Sequence, residues 1–229
     1  MPLLRLFAVG GIVIWPLLFF SLGVTALIIE RGLFWSRVVR QQEPLVSKVL
    51  QAFPTNLPLA IATLKQNLHL PVARIFLSAL SLTEATPEEF SLALETAAQA
   101  ELPLLRRFST VFDTVVGVAP LLGLLGTILG LIDAFAALRI GDLGETATSE
   151  VSLGIGQALV STAIGLAVAI LTLLFANVFQ GLYRRQRSFL EESGGRLEIL
   201  QRRLYRQVGQ SSSREMTLRD RSRPPQHPA

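Results

Sequence analysis

Four polar side chains sit inside otherwise apolar stretches. Thr127 lies within APLLGLLGTILGL (119–131), and Gln157, Ser161 and Thr162 lie within GIGQALVSTAIGLAVAI (154–170). Hydroxyl and carboxamide groups donate and accept hydrogen bonds but do not titrate near neutral pH. Their chemistry is therefore that of lining a route for an ion or its carrier, or of bonding helices together. The nearest acid is Asp133, six residues beyond Thr127 and roughly 9 Å along a helix axis. It reads either as an interfacial carboxylate or as an ion-uptake group. A proton route through a membrane normally needs an ionisable carrier. None lies near mid-span here, so if protons move, the carboxylate comes from another chain. The chain has no cysteine, and its two histidines, His69 and His227, are far apart and outside the apolar runs. This argues against a metal centre, and no cofactor is expected.

These side chains must be held by helices. At 3.6 residues per turn, Ala119, Gly123, Gly126, Thr127, Gly130, Ala134 and Ala137 share one face of the 119–137 segment. Leu121, Leu122, Leu124, Leu125, Ile128, Leu129 and Leu131 occupy the remainder. The later segment repeats the plan, with Gly154, Ala158, Ser161, Thr162, Gly165, Ala169 and Thr172 on one face. Lipid supplies no hydrophobic drive for helix association, so small residues matter by letting backbones approach. A membrane threonine also commonly bonds a carbonyl of its own preceding turn. The faces therefore admit two readings, a packing seam or the walls of a shared ion path.

Composition supports a membrane setting. The chain has 229 residues, of which 50% are hydrophobic and 17% charged, and the charges are segregated. Asp133 is the only charge between Asp113 and Arg139, and none falls between Glu150 and Arg184. Runs of about 18 or more apolar residues read as membrane helices; three occur, at 6–29, 114–138 and 151–182. The first is too long for a signal peptide and lacks a clear cleavage site, so it is expected to be retained. Basic residues gather after the first span (Arg31, Arg37, Arg40, Lys48), before the second (Arg106, Arg107) and after the third (Arg184, Arg185, Arg187). Arg5 and Arg139 lie on the opposite side. The positive-inside rule then puts the N-terminus outside and the C-terminus in the cytoplasm; in a bacterium this means the inner membrane, with a periplasmic N-terminus. The net charge of +4 comes from the tail, where eleven arginines face five acids after Leu182, and it is not a nucleic-acid footprint.

The expected architecture is all-α: an integral membrane protein with three transmembrane helices and a helical cytoplasmic region. Its divisions are a first membrane helix (1–30), a cytoplasmic helical region (31–112), a channel-forming hairpin of the second and third spans (113–183), a cytoplasmic helical extension (184–206) and a disordered tail (207–229). In the cytoplasmic region, TPEEFSLALETAAQ offers Thr86 as an N-cap, Pro87 at the first helical position and Glu89 to complete a capping box. Pro54, Pro58 and Pro71 mark breaks or helix starts. Eight basic and seven acidic residues nearly balance there, without a Gly-rich phosphate loop, which suits a support layer better than a nucleotide-hydrolysing domain.

At this level of detail the segments are recognisable. APLLGLLGTILGLIDAF closely resembles the second-helix signature of the MotA/TolQ/ExbB proton-channel family, and GQALVSTAIGLAVAI (156–170) resembles its third-helix signature. GGIVIWPLLFFSLGVTALIIER (10–31) is similar to the first helix, including Pro16 and the closing Glu-Arg pair. The cytoplasmic segment and tail match only in layout. Three spans and one large cytoplasmic loop suit the ExbB and TolQ branches; the flagellar branch has four spans. The resemblance implies a ring-forming homo-oligomer, generally a pentamer, around two copies of a single-span partner of the ExbD or TolR type that supplies a membrane Asp. Protons would visit that Asp between the second and third helices and drive motion that does work on the envelope, through a TonB-type protein in an ExbB-like role. By motif, Thr127 and Thr162 hold the two family hydroxyl positions, and Pro120 opens the second-helix motif. The chain departs from the usual pattern in having Gln157 for Glu, Leu171 for Pro and Ala176 for an aromatic, while Asn177 remains. A passive membrane scaffold is the competing reading, and a TolQ-like role in envelope maintenance is the variant. A membrane enzyme has little support.

Overall fold

The computed structural model describes residues 11–82, 85–139 and 145–221. Arg5, the start of the first span, the loop at 140–144 and His227 lie outside the described residues, as does the side chain of Ala137. Among the described residues the secondary structure is entirely helical: α1 (Ile14–Ala52), α2 (Leu57–Gln66), α3 (Pro71–Leu80), α4 (Pro87–Leu105), α5 (Ser109–Arg139) and α6 (Glu145–Arg221). Three helical stretches are long and apolar enough to cross a membrane, within α1, α5 and α6. Both α1 and α6 run far beyond the roughly 20 residues a bilayer requires, at 39 and 77 residues. The helix of α6 continues to Arg221, past position 207, where composition places the start of a disordered tail. No proline interrupts the sequence between 207 and Pro224, so nothing sterically ends the helix there.

The chain divides into two compact units. The first contains Met1–Phe34 and Arg106–Leu182. Its core is built from Val13, Leu17 and Val24 of the first segment, Phe112, Val115 and Ala119 of α5, and Ala169 and Ala176 of α6. Around that core many large apolar residues point outward, among them Trp15, Phe19, Leu121, Ile128, Phe135, Leu159 and Leu171. Large apolar residues facing outward is the arrangement expected where the solvent is lipid. Where the first and second spans meet, the guanidinium of Arg31 lies 4.9 Å from the Phe108 ring and 5.3 Å from that of Phe34. Glu30 pairs with it at 3.3 Å. Phe108 itself adopts φ 69, an uncommon conformation for a bulky residue, immediately before α5 begins.

The second unit contains Trp35–Leu105 and Tyr183–Ala229. Here α3 packs against α2 and α4. Pro58 lies in the first turn of α2, whose Asn56 cap accepts from the Leu59 amide at 3.0 Å, and Pro71 opens α3. The capping box of α4 forms: Glu89 N donates to Thr86 Oγ1 at 3.3 Å, and Thr86 N donates to Glu89 Oε2 at 2.9 Å. Arg74 grips the buried Glu101 carboxylate with two bonds of 2.6 and 2.5 Å and gives a third to Leu68 O. The hydrogen bond to Glu101 raises the Arg74 pKa further.

Candidate functional site

The small-residue faces of α5 and α6 lie against each other in antiparallel register. Ala119 meets Gly165 at one end, Gly123 meets Ser161 and Thr162, Gly126 meets Ser161, and Gly130 meets Gly154 and Ala158 at the other end. At Gly123, Gly130, Gly154 and Gly165 the nearest approach is to backbone, whereas Gly126 faces the Ser161 side chain. A Cβ added at Gly130 would lie 2.7 Å from Gly154 O, one at Gly154 would lie 2.7 Å from Gly130 O, and one at Gly165 would lie 2.6 Å from Ala119 O. No side chain beyond hydrogen fits such distances, so glycine is required by space at these positions. Ala119, Ala134, Ala158 and Ala169 are buried along the same seam. Pro120 sits half-buried within α5. Its missing amide proton leaves a carbonyl of the previous turn without its helical donor.

The hydroxyls differ in what they bond. Thr162 Oγ1 donates across the seam to Gly123 O at 3.0 Å, tying the two helices. Thr127 Oγ1 donates to Leu124 O of its own helix at 2.6 Å. Ser161 Oγ donates to Gln157 O at 2.8 Å and is fully buried, at 0% exposure. Thr172 is equally enclosed and donates to Val168 O at 2.6 Å. Thr127 and Thr162 are only half-buried, at the edge of the seam. A hydroxyl that has given its proton to a carbonyl still presents oxygen lone pairs. Both edge threonines thus keep the capacity to accept a hydrogen bond.

Asp133 and Gln157 come together in a way their separation in sequence did not suggest. Both line a cavity of about 250 Å³, together with Ile12, Val13, Gly126 and Leu129. The role of the first segment in this site was missed from sequence. The signal available was Gly11, which adopts φ 66 in the structure; a Cβ there would fall on the Gln157 carboxamide. Gly11 therefore makes room for Gln157 at the cavity wall.

The fold and site define a class: a helical membrane protein whose last two spans form a close-packed hairpin with hydroxyls along its edge. Comparison with known proteins refines this. Residues 67–192 match the family model described as the MotA/TolQ/ExbB proton channel family. The match begins within the segment between the first and second spans, so the likeness there extends beyond layout. A Synechocystis sp. protein named as ExbB-like biopolymer transport protein 3 is 57% identical over 86% of this chain and 94% of its own length. A second from that organism, ExbB-like 1, is 39% identical over 89% of this chain and 80% of its own. The biopolymer transport protein ExbB of Aquifex aeolicus is 41% identical over 35% of this chain and 52% of its own. The chain belongs to the MotA/TolQ/ExbB proton channel family, on its ExbB-like side. It is an ExbB-type membrane transport or channel subunit, not a member of an enzyme family.

Proposed function

We propose that this chain is the ring-forming, stator-type subunit of an inner-membrane motor that converts the proton-motive force into work on the envelope, energising outer-membrane transport in the ExbB manner. The observation that carries the reading is the pair of edge hydroxyls, Thr127 and Thr162, on a hairpin with no mid-span acid of its own. Such a wall accepts hydrogen bonds but cannot carry a proton. A single-span partner of the ExbD or TolR type would supply the carboxylate, and a pentameric homo-oligomer would surround it. Work would pass to a TonB-type protein. The N-terminus would be periplasmic and the C-terminus cytoplasmic, following the basic residues that flank the spans.

A passive scaffold is the second reading. It is favoured by the same bonds, since both threonines have backbone partners and Thr162 ties α5 to α6. Purification from native membranes under mild detergent separates the two. The motor requires a stoichiometric small protein with one membrane helix that bears an acid near its start. A ring free of such a protein, with normal envelope energetics, would sink the motor reading.

A further inference from the structure

The cavity bounded by Ile12, Val13, Gly126, Leu129, Asp133 and Gln157 has the make-up of a binding site. Its walls are mostly apolar, and two polar groups from different helices converge on it. About 250 Å³ is room for several water molecules, and a carboxylate with a carboxamide gives them partners. Asp133 is exposed on one side and reaches the cavity on the other. Among the described residues no other charge lines the cavity, and no cation pairs with Asp133. The first segment carries no charge between Gly11 and Glu30. The neighbouring charged positions on the other two helices are Arg139 of α5 and Glu150 of α6. The cavity also adjoins the hydroxyl seam. Gly126 forms part of its wall and at the same time seats Ser161, whose hydroxyl is bonded to the backbone of Gln157.

We propose that this cavity is a hydrated cation-uptake vestibule in which the Asp133 carboxylate takes a proton from hydronium, releasing water, and gives it up again through the vestibule water to the partner's carboxylate beside the edge hydroxyls. Gln157 is the positioning residue that holds water against Asp133. The inference rests on the proton-channel reading above, and it gives that channel a titrating group of its own in addition to the partner's.

The test uses the complex purified from native membranes and reconstituted in vesicles, with a trapped pH dye reporting uptake under an imposed proton gradient. Asp133→Asn is expected to slow uptake about 100-fold, the lower end of what a positioned proton-transfer group contributes. Asp133→Glu is expected to restore most of it. Independently of flux, a carbodiimide that attacks protonated carboxyls should label Asp133 in the wild type, more strongly as pH falls, with the site found by peptide mass. Full uptake in Asp133→Asn, when Thr162→Val abolishes it, overturns the vestibule and leaves the channel standing. Uptake lost in Asp133→Asn without rescue by Glu or carbodiimide labelling makes the residue structural and also overturns it. Protection from labelling by Na⁺ at constant pH overturns the proton assignment in favour of sodium. Absence of any gradient-driven uptake by the wild-type complex would instead fail the channel reading itself.

Discussion

Thr162→Val separates holding the seam from serving an ion. Valine keeps the branched shape and removes one bond, the 3.0 Å donation from Thr162 Oγ1 to Gly123 O. Interhelical bonds of this kind in membranes contribute about 0.6 kcal/mol on average and reach about 1.7 kcal/mol. The Gly123 carbonyl can still accept from its own helix ladder after the change. A loss of about 0.6 kcal/mol is roughly a threefold shift in an equilibrium, too small to dissolve a hairpin with backbone contacts along four glycines. The variant should therefore insert, assemble and melt close to wild type in detergent. Gradient-driven uptake in reconstituted vesicles should nonetheless be abolished, while Thr162→Ser retains both properties. Uptake at the wild-type rate in Thr162→Val would refute the role of the hydroxyl. A collapse of assembly in step with uptake would show that the small bond energy was the wrong measure of what this contact does.

Two further outcomes follow from the geometry. Gly130→Ala puts a methyl group 2.7 Å from Gly154 O; forced overpacking of this kind costs about 1–3 kcal/mol and should lower the melting temperature of the detergent-solubilised protein. Gly117→Ala meets nothing within 4 Å and should be neutral or stabilising by about 0.5–1 kcal/mol. In the second unit, the Glu89 carboxyl is held below the usual carboxylate range, first by the Thr86 backbone amide and then by the Thr86 hydroxyl. A depressed folded-state pKa stabilises above the ordinary carboxylate value and is lost as pH falls through the folded one. Amide exchange in the first turn of α4 should accordingly rise on acidification in the wild type, and Glu89→Gln should flatten that response.

Much of this was legible in the sequence because lipid simplifies the code. The spans declare themselves by the absence of charge, and the 3.6-residue spacing of Gly123, Gly126 and Gly130 against Gly154, Ala158 and Gly165 marks the two faces that meet. The capping box at Thr86 was equally plain, since its two partners are three residues apart. Spacing could not choose between seam and slot, because a periodic face says what is small without saying what fills the space opposite. The meeting of Asp133 with Gln157 was hidden for a related reason. It depends on the antiparallel register of two helices and on Gly11 from a third segment, which no local pattern encodes. Asp133 looked interfacial because its height along α5 could be estimated from sequence, whereas its neighbours could not.

Burial then divides the small faces into two kinds of position. Ala119, Ser161 and Thr172 are wholly enclosed within the chain, and Ala158 and Ala169 nearly so. A group from another chain cannot touch them unless α5 and α6 separate, and contacts as close as those at Gly130 and Gly165 make separation costly. Their demand is for volume, so they should respond to side-chain size and be indifferent to polarity of equal size. Thr127 and Thr162 are half-buried at the rim, each hydroxyl donating to a backbone carbonyl and keeping its lone pairs. An acid carried by a partner helix would meet these first, and their demand is for a lone pair in place. Ser161 thus falls on the structural side of the division although its hydroxyl is chemically equivalent to the threonines. Ser161→Ala, which keeps the volume within one atom, should leave uptake intact where Thr162→Val removes it. Loss of uptake in both would mean that the seam opens during the working cycle and that the ion reaches its interior.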